Sequence, residues 1–272
     1  MTRGERVIAF IERYCKAPEG AHVGQPIVLE DFQKKFILDV YDNPHGTHTA
    51  ILSIARKNGK TALIAGILLA HLIGPEAKQN SQIVSGALSR DQAAIVFKLA
   101  VKMINLNEDL QDLVHIIPST KTLIGLAKNV EFRALSAEGK TTHGLSPILA
   151  ILDETGQVKG PQDEFVDAVV TAQGAHEAPL LMVISTQAAT DADLLSIWID
   201  DALKGEDPKT VCHLYTTPIG NDILDKNSWK LSNPALGKFR SEPDMQKLAE
   251  KASRMPSAEN TFRNLNLNQR VS

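Results

Sequence analysis

Gly59-Lys60-Thr61 sits between a run of strand-forming residues, His48-Thr-Ala-Ile-Leu-Ser-Ile54, and an almost wholly apolar stretch that extends to Ile73. A loop that leaves a strand and opens a helix presents backbone amides and the positive end of the helix to an anion. A lysine in that first turn reaches the outer phosphates of a nucleotide, and a neighbouring hydroxyl ligates Mg²⁺. The full phosphate-loop pattern wants glycine five residues before Gly59, and Ile54 stands there. The reading therefore rests on the strand-to-helix junction and on the apolar helix behind it, which a solvated surface turn would not introduce. Arg56 and Lys57 add two cations inside the loop. A guanidinium there can clamp phosphate oxygens bidentately; a solvent-facing basic pair is the plain alternative.

Two further strand ends carry polar chemistry. Ile148-Leu-Ala-Ile-Leu152 is entirely apolar and ends in Asp153-Glu154. The first carboxylate could serve a Mg²⁺ shell and the second could polarise a water in line with a γ-phosphate. A strand ending in acidic residues is commonplace by itself; the candidate phosphate loop about 90 residues upstream gives it meaning. Leu180-Leu-Met-Val-Ile184 ends in Ser185-Thr186-Gln187. In a parallel sheet this end shares a rim with the loop, so its hydroxyls could sense the γ-phosphate or merely cap a helix. Gln33, about 20 residues before the loop strand, carries an amide that can donate to and accept from an adenine edge.

The elements that must position these groups alternate. Thr2 and Glu5 have capping-box spacing ahead of a helix with Val7, Ile8, Ile11, Tyr14 and Cys15 on one face. A second amphipathic run covers Leu29–Tyr41. From Thr47 onward the pattern predicts strands at His48–Ile54, Gln82–Ala87, Ile148–Leu152, Leu180–Ser185 and Val211–Tyr215. Helices are expected at Lys60–Ile73, from Ser89 through Ile104, at Pro161–Gln173 and at Asp191–Lys204. Thr122–Leu126 and Val130–Leu135 read as a hairpin. This is an α/β domain with a mostly parallel sheet over residues 1–216. Strand signal fades beyond Thr216, and residues 217–272 read as a smaller, mainly helical subdomain with helices at Glu242–Ser253 and Ala258–Leu267.

Composition excludes several classes. The chain has 272 residues, 43% hydrophobic and 22% charged, enough for a full core without staples. Its two cysteines, Cys15 and Cys212, have no CxxC spacing, which argues against a thiolate zinc site. No apolar run approaches the roughly 20 residues of a membrane span. The eight histidines show neither HxxxH nor HExxH spacing, His143 reads as a loop residue, and Ser146 lacks the GxSxG context of a serine hydrolase. A net charge of −3 gives no global pull toward nucleic acid.

Together these segments resemble the ATPase domain of the large terminase subunit, the DNA-packaging motor of tailed bacteriophages. Leu29-Glu-Asp-Phe-Gln33 is similar to the family's adenine-side segment. Ala55-Arg-Lys-Asn-Gly-Lys-Thr61 is similar to its deviant phosphate loop, with an early basic residue and no first glycine. Leu152-Asp153-Glu154 resembles its Walker B element and Ser185-Thr186-Gln187-Ala188 its coupling motif. Tyr215-Thr-Thr-Pro218, Trp229, Asn233-Pro234-Ala-Leu-Gly237 and Phe262-Arg-Asn-Leu-Asn-Leu-Asn268 are similar to the segment that joins ATPase to nuclease.

The resemblance implies an ASCE-type P-loop NTPase, a three-layer αβα sandwich with a helical lid or linker at 217–272, and no nuclease domain in this chain. It implies Mg·ATP hydrolysis that drives double-stranded viral DNA into a procapsid. Lys57, Asn58, Gly59 and Lys60 would hold the phosphates, Thr61 and Asp153 the Mg²⁺, and Glu154 the water. Arg56 would stabilise the transferring phosphoryl group, while Ser185, Thr186 and Gln187 couple its loss to 217–272. Arg90, Arg133 and Lys140 are candidates to act on a neighbour's nucleotide. The implied partners are DNA, portal protein, the small terminase subunit and sister copies in a ring on the portal, in the cytoplasm of the bacterial host. The isolated domain is expected to be monomeric. A nucleotide-binding prophage scaffold without turnover and a helicase-like ATPase are the alternatives; the second would need a further motor lobe.

Overall fold

The computed structural model describes residues 1–138 and 144–271; Lys140 and His143 lie outside the described residues. The chain opens with α1 (Arg3–Tyr14) and α2 (Asp31–Tyr41), followed by β1 (Thr49–Ser53), α3 (Lys60–Leu72), β2 (Gln82–Ala87) and α4 (Arg90–Asn105). A short α5 (Glu108–Gln111) leads to β3 (Val114–Ile117), β4 (Thr122–Gly125), β5 (Val130–Ser136) and β6 (Leu149–Asp153). Then come α6 (Glu164–Ala172), β7 (Leu180–Ser185), α7 (Leu194–Leu203) and β8 (Thr210–Leu214). Three helices close the chain: α8 (Lys226–Ser232), α9 (Glu242–Arg254) and α10 (Pro256–Asn266).

The strands form one eight-stranded sheet in the order β3-β4-β5-β2-β6-β7-β1-β8. β2 pairs in parallel with both β5 and β6, whereas β3–β4 and β4–β5 are antiparallel. The expected hairpin is the β4–β5 pair, with Gly125 opposite Val130 and Thr122 opposite Arg133. The α/β class with a mostly parallel sheet holds. β2, β6 and β7 are buried along almost their whole length, which is why β6 and β7 read as continuous apolar runs rather than alternations. Among the described residues no helix is long and apolar enough to cross a membrane.

The chain divides into two compact units, each discontinuous in sequence. The first comprises Met1–Ala50, Thr61–Asp153 and Glu164–Met182. Its N-terminal helix forms the expected capping box, with Glu5 N donating to Thr2 Oγ1 at 3.1 Å and Thr2 N to Glu5 Oε2 at 2.8 Å. In α3, all ten residues from Leu63 to Leu72 are buried. Arg3 grips Glu76 through two hydrogen bonds at 3.0 and 2.8 Å, and the buried Tyr41 hydroxyl lies 2.7 Å from His71 Nε2.

The second unit comprises Ile51–Lys60, Glu154–Asp163 and Val183–Ser272. It holds a small core of its own, in which Trp229, Met245, Ala249, Ala252, Phe262 and Leu267 pack together. Trp229 Nε1 donates to the Ile223 carbonyl at 2.8 Å, which satisfies the one polar atom this ring brings into the core.

Candidate nucleotide site

The loop after β1 is stitched to its unit by three consecutive amides. Ile54 N donates to Ser185 O at 3.2 Å, Ala55 N to Ser232 O at 3.2 Å and Arg56 N to Leu265 O at 2.9 Å. The chain then turns through left-handed Lys57 (φ 63°) and Gly59 (φ 81°) into α3. Glycine takes that conformation without steric cost, and a non-glycine residue such as Lys57 does not. Alternating left-handed residues ahead of a helix turn successive N–H groups toward one point, a geometry that suits an anion. The Lys60 ammonium donates to the Ile54 and Ala55 carbonyls at 2.9 and 2.7 Å, so the cation bridges the mouth of this loop.

Asn58 plays a part that its neighbours in sequence did not suggest. Its side chain is fully buried and points into the body of the unit. Nδ2 donates to Ala55 O (3.1 Å), Arg56 O (3.0 Å) and Asn233 Oδ1 (2.9 Å), while Oδ1 accepts from Ala235 N (3.1 Å). The side chain is therefore a staple for the loop, leaving its backbone as the part available to a phosphate. Arg56 is exposed. The Lys57 ammonium reaches Asp244 Oδ2 at 2.9 Å. Hydrogen bonds from Arg240 first, and from Lys57 second, hold the Asp244 carboxyl below the usual aspartate range.

Glu154 leaves the end of β6 in the left-handed region, φ 55° and ψ 32°. Holding a non-glycine residue there costs on the order of 1–3 kcal/mol, and such strain gathers at functional positions. A 3₁₀ turn, Thr155–Gln157, follows at once. Gly156 N donates to Ser185 Oγ at 2.9 Å, and a Cβ at Gly156 would stand 2.2 Å from Thr186 O. Only glycine lets the two segments approach this closely.

Ser185, Thr186 and Gln187 are all buried. The Gln187 amide nitrogen donates to Asn268 O at 2.5 Å and its amide oxygen accepts from Arg270 Nε at 3.0 Å. Asn268 is itself fully buried and left-handed (φ 52°). It donates to Ser53 Oγ (3.0 Å) and Tyr215 O (2.9 Å) and accepts from Gln187 N (2.7 Å). Arg270 directs its remaining donors to Asp191, Asp200 and Ser196 O. The residues from 185 to 187 are thus wired to 268–270 as well as to the turn after Glu154.

The second unit brings Arg56 through Lys60, Glu154 and Ser185 through Gln187 together. Gln33, Thr61 and Asp153 belong to the first. Gln33 is buried, and its amide oxygen accepts from Glu30 N at 2.9 Å, closing a capping box at the start of α2. Thr61 is the second residue of α3, and Asp153, half-buried, the last of β6. Of the trans-acting candidates, Arg90 lies 3.8 Å from Glu138 and Arg133 3.0 Å from Glu131.

No cluster of three or more His, Cys, Asp or Glu capable of holding a metal occurs among the described residues. A hydroxyl and a single carboxylate suit Mg²⁺, which keeps several waters and takes the rest of its shell from phosphate oxygens. The loop, with Lys60 across its mouth and paired left-handed residues before a helix, fits a nucleotide polyphosphate. Asn58's stapling role, Asn233, Asp244, Asn268 and Arg270 were not singled out from the sequence as parts of the site. Asn233 and Asn268 do fall within segments that carry the family resemblance.

Comparison with known proteins identifies the family. Residues 31–197 match the family model described as "Terminase large subunit, ATPase domain". The chain is 76% identical over its whole length to the terminase large subunit of Enterobacteria phage HK97, of which it spans 54%. The crystal structure of the HK97 large terminase superposes with a TM-score of 0.96 at 75% identity, over 99% of this chain and 56% of that one. The large terminase ATPase domain of Thermus phage P74-26 shares the fold at 14% identity, with a TM-score of 0.58 over 88% of this chain and 92% of that one. So does the large terminase of a thermophilic bacteriophage in complex with ATP-γ-S, at 10% identity and a TM-score of 0.53, over 84% of this chain and 50% of that one. The chain belongs to the family of terminase large subunit ATPase domains.

Proposed function

We propose that this chain is the motor portion of a DNA-packaging enzyme: it hydrolyses Mg·ATP and uses the energy to move double-stranded viral DNA into a procapsid. The observation that carries the reading is the Lys60 ammonium lying across the loop that opens α3, in the same unit as the turn that holds Glu154. Lys60 and the amides of Lys57–Gly59 bind the β- and γ-phosphates. Thr61 and Asp153 are the residues to hold Mg²⁺, which when bound neutralises phosphate charge. Glu154 orients the attacking water and accepts its proton. Arg56, exposed beside the loop, stabilises charge on the transferring group. Ser185 and Gln187 relay the change toward 268–270. DNA, portal protein, a small terminase subunit and sister copies in a ring are the partners of this activity, in the bacterial host cytoplasm.

The test is phosphate release from Mg·ATP by the purified chain, with and without double-stranded DNA and portal, beside a Lys60→Ala control. A charge-assisted hydrogen bond contributes about 1.5–3 kcal/mol, so the control should bind ATP about tenfold or more weakly. Turnover that rises with DNA supports the motor. Nucleotide binding without turnover under any of these conditions replaces it with a scaffold.

A further inference from the structure

Asn233 stands at the C-terminal end of α8, where Pro234 keeps the helix from continuing. Proline has no N–H, so the next donor along the chain is Ala235 N, and it donates to Asn58 Oδ1 at 3.1 Å. Asn233 Oδ1 accepts from Asn58 Nδ2 at 2.9 Å. Both ends of the Asn58 amide are thus fixed by 233–235; a flipped amide would set donor against donor and acceptor against acceptor. Asn233 is oriented in its turn. Its Nδ2 donates to Asn266 O at 2.8 Å and to Trp229 O at 3.1 Å, which leaves its oxygen to face Asn58. Asn58 Nδ2 also donates to Ala55 O and Arg56 O, and Ala55 O is one of the two carbonyls that receive the Lys60 ammonium. Three hydrogen bonds therefore lead from Asn233 through Asn58 and Ala55 to Lys60. The backbone repeats the link: Ser232 O at the end of α8 accepts from Ala55 N, and Leu265 O near the end of α10 from Arg56 N. Carbonyls at helix ends lack intrahelical donors, and the loop supplies them.

We propose that Asn233 is a positioning residue for phosphate binding: it locks the Asn58 amide, which holds the Ala55 and Arg56 carbonyls and so fixes the place from which the Lys60 ammonium meets the outer phosphates. The proposal rests on the phosphate-loop reading above. The loop carries two left-handed residues, Lys57 and Gly59, and shaping it only when a ligand arrives would cost ordering entropy at that moment. A loop already shaped by Asn233 moves that cost to folding, and the ligand binds more tightly by the difference. Asn233 itself touches no phosphate. Its effect belongs to affinity and not to the rate of the bound complex, because a bound polyphosphate holds the loop amides in place itself.

The experiment is calorimetric titration of the purified chain with ATP-γ-S and Mg²⁺, beside steady-state ATP hydrolysis. Asn233→Ala should weaken binding about two- to tenfold, the range that one neutral hydrogen bond carries, and raise KM with kcat little changed. Asn58→Ala cuts the same link from the loop's end without disturbing the bonds of Asn233 to Trp229 and Asn266, and should show a similar loss. In the Asn58→Ala background Asn233→Ala should cost no further affinity. Trp229→Phe removes the bond to Ile223 O from the same helical core but leaves the loop alone; it should lower the melting temperature and keep the parental affinity. Parental affinity in a folded Asn233→Ala or Asn58→Ala protein overturns the proposal, as does an equal further loss in the double variant. A fall in binding stoichiometry at unchanged affinity, or an equal weakening in Trp229→Phe, would reduce Asn233 to a prop of the fold and overturns it too. A parent chain that binds no ATP-γ-S overturns the phosphate-loop reading and this proposal together.

Discussion

The backbone amide of Gly156 and the side chain of Ser185 are joined by a hydrogen bond of 2.9 Å, and the same hydroxyl donates to the Thr186 carbonyl at 2.8 Å. One serine thus pins the turn that follows Glu154 and braces its own strand end. The backbone of Ser185 also accepts from Ile54 N, so the loop after β1 and the Glu154 turn share an anchor in this residue. A shift of the loop on ligand binding has a two-bond route to the carboxylate proposed to activate water.

Gly156→Ala tests that route. The added methyl would stand 2.2 Å from Thr186 O and 3.0 Å from Ser185 Oγ, contacts that backbone must move to relieve. Overpacking of this kind costs about 1–3 kcal/mol. Thermal unfolding should fall by several degrees, and turnover should fall more than nucleotide affinity. Parental turnover in a folded Gly156→Ala protein would show that the turn's position does not matter to the chemistry.

Asn268 should be the most sensitive polar side chain in the second unit. Asn268→Ala removes three side-chain hydrogen bonds, leaves the Gln187 backbone amide without its acceptor, and keeps a Cβ at φ 52°. Each buried group left unsatisfied costs about 1–3 kcal/mol, so a loss of about 3 kcal/mol or more is expected in denaturant unfolding. Asn268→Gly relieves the left-handed backbone and should recover about 1 kcal/mol of that, no more. Full recovery with glycine would mean that strain, rather than hydrogen bonding, explains the residue.

These two positions also show where sequence reading ends. β6 and β7 announce themselves as apolar runs because both of their faces are buried, and Gly59-Lys60-Thr61 is conspicuous because its chemistry lies in adjacent residues. β3 escaped notice: in Val114-His-Ile-Ile117 only Val114 is buried, and four residues cannot establish a period. α8 escaped too, since Trp229 is its one apolar core residue and its other buried positions, Ser228 and Ser232, are serines. The network around the loop was invisible for another reason. Asn58 meets Asn233 across 175 residues and Ser53 meets Asn268 across 215, and no local pattern encodes such pairings. Gln33 illustrates the converse, an amide whose type suits base recognition but whose oxygen serves its own helix start.

His71 makes the first unit sensitive to acid. Burial, chiefly, pushes its pKa down from 6.5 to about 4; Glu76 opposes the shift, while Arg3 and Lys78 add to it. The unfolded chain therefore takes up a proton near pH 6.5 that the folded chain refuses until about pH 4. Stability from this group is complete above pH 6.5 and is lost as pH falls toward 4, by about 3 kcal/mol in all. Urea midpoints measured from about pH 7 to pH 4 should fall steeply in the parent. His71→Gln should be less stable at neutral pH but flatter over that interval. Parallel curves for the two proteins would assign the acid sensitivity to other groups.

Asp153 and Glu154 are adjacent carboxylates that should prove to have separate duties. Asp153 closes β6 in extended backbone, whereas Glu154 is left-handed, so their side chains leave the chain in different directions. If Asp153 serves Mg²⁺, Asp153→Asn should weaken nucleotide binding in the presence of Mg²⁺ and have little effect in its absence. If Glu154 serves the water, Glu154→Gln should bind ATP as tightly as the parent and lose the ~10²–10⁴ in rate that a general base supplies. Glu154→Gly adds a reading that a structural role cannot imitate. Glycine relieves the strain of φ 55°, so this variant should be more stable by up to about 1 kcal/mol while being as slow as Glu154→Gln. Gain of stability with loss of turnover would mark Glu154 as held in a costly conformation for the sake of chemistry. Single-turnover phosphate release beside ATP affinity and thermal unfolding, for all three variants, decides the matter. Parental hydrolysis by Glu154→Gln would place the base elsewhere, and loss of ATP affinity in Glu154→Gln but not in Asp153→Asn would exchange the two roles.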